Sequence, residues 1–187
     1  MPRRKVPLLN HHFYHVFNRV KENQKLFYKK ENYLYFKKLW AEVDFIPSCR
    51  ILAYCLMPNH YHFLLQITDA DLFSRKMSYF FNKYCKILNK QRNKTGSLFP
   101  NRFKAKLIGD EKYLTSLCGY IHMNPVSSKL VETPKEWPYS NYLSCIGKGE
   151  DNIADQDYFK KMILNEADYQ EFILNRYSDD NLGPYLF

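Results

Sequence analysis

The stretch Met57-Pro58-Asn59-His60-Tyr61-His62-Phe63-Leu64-Leu65 decides how the rest of the chain is read. From His60 to Ile67 the pattern is that of a strand, with Tyr61, Phe63, Leu65 and Ile67 on one face and His60, His62, Leu64 and Gln66 on the other. The two imidazoles therefore share a face, near enough to bind one ion jointly, while the aromatic and aliphatic face anchors the strand in a core. Pro58-Asn59 is a turn pair, and the apolar run Arg50 to Met57 before it makes a hairpin with the histidine strand.

Working outward from the hairpin, His11 to Val20 alternates as a first strand, and a helix follows from about Glu31 to Phe45 with Phe36, Leu39, Trp40 and Val43 at helical spacing. His15 on the first strand is read as a packed or hydrogen-bonded residue and not as a third ligand. Downstream, Thr68 and Asp69 supply capping oxygens for a long helix, about Asp71 to Arg92, whose apolar stripe is Phe73, Met77, Phe80, Tyr84 and Leu88. Arg102 to Ile108 alternates again, with Arg102, Lys104 and Lys106 on one face. Asp110 can cap a third helix with the stripe Leu114, Leu117, Cys118 and Ile121, while Tyr113, Ser116, Tyr120 and Asn124 share another face; Pro125 is expected to end it at Asn124. The first six elements follow the split βαβ pattern, so the expected class is α+β, a ferredoxin-like or RNA-recognition-motif-like antiparallel sheet. Helices cover one face of it and the other is left available.

The 187 residues carry a formal charge of +9. Residues 150–187 hold 9 acidic and 3 basic residues, a net −6, which leaves +15 on residues 1–149. The division expected is therefore a basic domain over 1–149, ending near Gly147-Lys148-Gly149, and a small acidic helical extension over 150–187. A basic body suggests a polyanionic partner, and Lys83 and Lys86 on the long helix with Arg102, Lys104 and Lys106 on the fourth strand are the candidate phosphate contacts. A helix dipole or a protected edge strand also accounts for part of these cations. The five cysteines contain no Cys-x-x-Cys pair and read as buried thiols. Met1-Pro2-Arg3-Arg4-Lys5 is not followed by an apolar run of signal length, and no stretch approaches a membrane span, so a cytoplasmic protein without a membrane partner is expected. Glycine-rich phosphate loops are absent, which disfavours nucleotide hydrolysis.

Two imidazoles are too few for a closed zinc site, but with one oxygen ligand they make an open site at which a divalent cation can polarise a phosphodiester. A serine–histidine–carboxylate arrangement is not evident, and the cysteines lack an activating partner, which leaves tyrosine as nucleophile. A phenolate attacking phosphorus conserves the ester bond energy for rejoining strands.

The motifs Cys55 to Leu65, Phe99-Pro100-Asn101-Arg102-Phe103-Lys104 and Gly119-Tyr120-Ile121-His122-Met123-Asn124-Pro125-Val126 together resemble the HUH-type single-tyrosine transposases, closest to the REP-associated branch. The resemblance spans roughly Tyr14 to Tyr142. It implies His60 and His62 as metal ligands, Asn124 as a polar third ligand or helix-ending residue, Tyr120 as nucleophile with Tyr113 as its competitor, and Mg²⁺ or Mn²⁺ as cofactor. It also implies single-stranded or hairpin DNA as partner and cleavage to a 5′-phosphotyrosine and a free 3′-hydroxyl. Two positions depart from the branch: Tyr61 stands where a bulky aliphatic is usual, and Ser127-Ser128 where an arginine is common. A non-catalytic or domesticated single-strand-binding module, and a hydrolytic phosphodiesterase using metal-bound water, are the rival readings. The residues leave open whether Tyr120 serves its own site or that of a second subunit in a homodimer.

Overall fold

A computed structural model describes residues 7–110 and 112–177; the basic residues 1–5 and the end of the acidic segment, 178–187, lie outside the described residues. The strands are β1 (His12–Arg19), β2 (Cys49–Met57), β3 (His60–Ile67) and β4 (Lys104–Ile108), joined in one antiparallel sheet of order β2-β3-β1-β4. Between them run α1 (Lys30–Val43) and α2 (Ala70–Gln91), and after β4 come α3 (Lys112–Ser127), α4 (Tyr142–Cys145), α5 (Gln156–Met162) and α6 (Glu166–Tyr177). This is the α+β class expected. β4 begins at Lys104, two residues later than the alternation suggested, so Arg102 lies exposed in the bend before it.

The period-two pattern of β3 does what it must. Tyr61, Phe63, Leu65 and Ile67 are buried together with Tyr14 and Val16 of β1 beneath the stripes of α1 and α2, with Trp40 stacked on Phe63 at 4.7 Å and Phe36 edge-on to Phe80 at 4.7 Å. Each helix is closed by local chemistry. Asn32 takes the N–H groups of Tyr28 and Lys29 at the start of α1, Asp44 ends it with a left-handed backbone at φ 51°, and the Asp69 carboxylate takes the Leu72 N–H at the start of α2. Thr68 does not share that cap; its hydroxyl donates to the Pro47 carbonyl.

On the opposite face, a second apolar cluster joins Leu52, Ala53, Cys55 and Met57 of β2 and Leu64 of β3 to Leu114, Leu117, Cys118 and Ile121 of α3, and to Phe159, Tyr169 and Ile173 of α5 and α6. The face expected to be open is thus covered over β2 and open toward β1 and β4. An irregularity in the β2–β3 register between Ile51 and Ala53 lets both Leu52 and Ala53 join this second cluster. The Asn141 amide repairs the ladder there, accepting from the Tyr54 N–H at 2.8 Å and donating to the Leu52 carbonyl at 2.9 Å. α3 also runs past the expected stop. Pro125 sits inside it, and the helix ends only after Ser127, where Lys129 turns left-handed at φ 54°. Proline removes one helical N–H, and side chains satisfy neighbouring carbonyls: Asn124 Nδ2 donates to Tyr120 O and Ser127 Oγ to Met123 O.

Candidate active site

Three elements converge on the sheet face beside α3. β3 presents His60 and His62; β1 presents His15, Phe17 and Arg19 on the same face, with Arg19 directly opposite His60 and Phe17 opposite His62; and α3 lays Tyr120 and Asn124 across them. The rings of His60 and His62 are perpendicular with centroids 5.0 Å apart, and Tyr120 stands edge-on to His62 at 5.9 Å and to His15 at 6.5 Å. His62 is fully buried, Tyr120 keeps 9 % of its surface and Asn124 8 %, and the exposed side chains beside them on this face are Arg19, Lys104 and Lys106. All of this is assembled within one chain.

Burial pushes His60 down to about 4, helped by the Arg19 guanidinium and opposed by a hydrogen bond with Asn124. His62 is held well below the usual imidazole value by burial, then by His15, His60 and Arg19. Both rings are therefore neutral at physiological pH, the state in which an imidazole ligates a metal. Burial raises the Tyr120 phenol, while a hydrogen bond with Asn124 and the Arg19 charge act the other way. Asn124 thus links one histidine to the tyrosine, as a single residue one turn along the helix can.

The donor set fits an open divalent centre. His60 Nδ1 lies 2.6 Å from Asn59 Oδ1, and since an amide oxygen only accepts, Nδ1 carries the proton and Nε2 the lone pair. Two imidazole nitrogens and the Asn124 amide make two N and one O donor, with remaining positions for phosphate oxygen and water. Among the described residues no group of three or more His, Cys, Asp and Glu is arranged to hold a metal, and the polar side chain beside the two histidines is the Asn124 amide.

Of the five expected cations, Arg102 lies in the bend before β4 and the other four separate into two pairs. Lys104 and Lys106 face the histidine side of the sheet, opposite Phe17 and His15, and Lys104 lies 5.7 Å from the Phe17 ring. Lys83 and Lys86 belong to α2, in the helical layer behind the sheet, where Lys83 pairs with Glu42 at 3.4 Å. Tyr61 is fully buried and stacks on Phe81 at 4.8 Å, so the unusual residue between the histidines is part of the α1–α2 core. The sequence reading missed Arg19 and set His15 aside. Both follow from the β1 alternation once β1 is paired with β3, because Phe13, His15, Phe17 and Arg19 then share the histidine face.

Behind the site lies a buried relay. Tyr169 O–H donates to His122 Nδ1 at 2.6 Å, His122 Nε2–H to Asn141 Oδ1 at 2.9 Å, and the Asn141 amide closes on the β2 backbone. His122, two residues beyond Tyr120, is held by burial at about 4 and is neutral. The relay ties α6 and β2 to the helix that carries the tyrosine.

Among known proteins, residues 9–124 match the family described as IS200-like transposases. A REP-associated tyrosine transposase of Haemophilus influenzae is 33% identical over 101 residues; the matched region spans 49% of this chain and 57% of that relative. The structure of a REP-associated tyrosine transposase bound to a REP hairpin superposes with a TM-score of 0.62 at 16% identity, covering 83% of this chain and 94% of the other, and so shares the fold. No helix among the described residues is long and apolar enough to cross a membrane. With a family match that runs from before β1 to Asn124 and takes in both histidines and the tyrosine, the chain belongs to the IS200-like transposase family.

Proposed function

We propose that this protein is a divalent-metal-dependent transposase acting on single-stranded, hairpin-bearing DNA, and that Tyr120 is its nucleophile. The observation that carries the reading is the convergence of Tyr120, Asn124, His60 and His62 on one face of the sheet. His60, His62 and Asn124 would hold Mg²⁺ or Mn²⁺, which when bound polarises the scissile phosphate and stabilises the charge that develops on it. Tyr120 Oη attacks phosphorus; its proton passes to solvent, the P–O3′ bond breaks, and the departing oxygen takes a proton to become a 3′-hydroxyl. The product is a 5′-phosphotyrosine, and attack by a 3′-hydroxyl reverses the step and joins strands. Arg19, opposite His60, neutralises a phosphate oxygen beside the tyrosine. Arg102, Lys104 and Lys106 guide the backbone of the strand across the open half of the sheet, and Lys83 and Lys86 serve contacts further out.

Residues 1–149 form the transposase domain and 150–187 an acidic extension whose α6 braces α3 through Tyr169. The protein works in the cytoplasm, where the nucleoid offers its substrate, and a homodimer is compatible with a site complete in one chain. Hairpin DNA is the substrate class because a relative of the same fold is seen bound to a REP hairpin. The test is incubation of wild type and Tyr120→Phe with end-labelled DNA drawn from sequences flanking the gene, with Mn²⁺, on a denaturing gel. A protein-linked band that vanishes in the variant and with chelator supports the reading. Cleavage without any adduct in both proteins would favour attack by metal-bound water, and binding without cleavage a non-catalytic module.

A further inference from the structure

His15 sits on β1 diagonally across from His62, and its Nε2 is 2.8 Å from His62 Nδ1. The rings lie 20° from parallel with centroids 5.1 Å apart, and both are buried. Two neutral imidazoles that meet nitrogen to nitrogen share one proton, and its position decides what His62 can do. With the proton on His15 Nε2, His62 would carry its own proton on Nε2 and could not ligate through that atom. With the proton on His62 Nδ1, Nε2 has a lone pair. The neighbouring histidine already shows the second arrangement, since Asn59 Oδ1 can only accept from His60 Nδ1.

We propose that His15 is a positioning residue whose Nε2 accepts the Nδ1–H of His62, holding His62 in the tautomer that presents its Nε2 lone pair to a divalent cation. This rests on the reading of His60, His62 and Asn124 as the ligand set. Groups that orient ligating histidines from behind typically change metal affinity 10- to 100-fold when removed. His15 and Asn59 would play that part for the two histidines in turn, and His15 is thereby excluded as a third ligand through Nε2.

The test uses the full chain and Mn²⁺ alone, by calorimetric titration, on wild type, His15→Phe, His15→Gln and His62→Ala. His15→Phe keeps a stacked ring without an acceptor and should bind Mn²⁺ about 10- to 100-fold more weakly. His15→Gln, whose amide oxygen reaches the Nε2 position, should recover most of the loss. Ring ¹⁵N spectra of the metal-free wild type should show His62 protonated at Nδ1, a readout that holds even if a variant fails to fold. Wild-type affinity in His15→Phe while His62→Ala has lost binding, or a His62 ring protonated at Nε2, would overturn the role of His15 and leave the ligand set standing. Mn²⁺ binding indifferent to His62→Ala would remove the ligand set and this proposal with it.

Discussion

Asn124 carries more of the site than its position before a proline suggests. Its Nδ2 donates to the Tyr120 carbonyl, which steadies the turn of α3 that proline weakens, and the same side chain reaches His60 and Tyr120. Sequence alone weighs it evenly as ligand or helix end, and the helix in fact continues, because Ser127 and Asn124 satisfy carbonyls from their side chains. Asn124→Ala should lower cleavage by about 10- to 100-fold, with part of the loss recovered at higher Mn²⁺ and DNA binding little changed. A Mn²⁺ titration of single-turnover cleavage distinguishes this from a simple loss of fold. Strand and helix periods made legible the faces on which the histidine pair and Tyr120 lie, while the preference for Tyr120 over Tyr113 came from the family resemblance. His15 and Arg19 were not, since their relevance depends on which strand lies beside β3, and a sequence period does not encode strand order.

At the level of elements, the β2-β3 hairpin and the stripes of α1 and α2 were readable from alternation and helical spacing, and they form the first core. Of the second core only the α3 stripe Leu114, Leu117, Cys118 and Ile121 was readable. What that stripe packs against was not: an apolar β2 run with no period, a register shift that turns Leu52 and Ala53 together, and short helices far along the chain. The relay from Tyr169 through His122 to Asn141 is the joint between them. Tyr169→Phe leaves His122 Nδ1 buried without its donor and should cost about 1–3 kcal/mol of stability, measured by urea unfolding. Because α6 then holds α3 less firmly, cleavage should fall as well. On β4, the cations facing the histidine side should pair with phosphates. Replacing Lys104 and Lys106 together by alanine should reduce the slope of log affinity for single-stranded DNA against log salt by about 0.7 for each phosphate these lysines neutralise, measured by anisotropy. An unchanged slope would mark them as strand-edge protection only.

Across the whole molecule, the two cores leave four histidines buried and neutral: His15 at about 3, His60 and His122 at about 4, and His62 well below its ordinary value. Each has a folded-state value below the 6.5 of an exposed imidazole. Their contribution to stability is complete above pH 6.5 and is lost as pH falls from there, toward 4 for His60 and His122 and toward 3 for His15, because the unfolded chain takes up protons that the fold refuses. For His122 alone this amounts to about 3 kcal/mol. Melting temperature of the metal-free protein should fall steeply over that window, and a flat profile would mean that the histidines are not buried neutral. The charge division of the chain also has a structural counterpart, because Asp151 of the acidic segment binds Lys37 and the Tyr54 hydroxyl and so fastens the extension to the basic body.

Tyr120 and Tyr113, seven residues before it, lie on the same helix, and the proposed chemistry requires that Tyr120 form the bond to DNA. After reaction with hairpin DNA and Mn²⁺ and exhaustive nuclease and protease digestion, fragmentation mass spectrometry of the peptide containing both tyrosines should find the residual phosphonucleotide on Tyr120. The same modification on Tyr113 would rule out Tyr120 as the nucleophile.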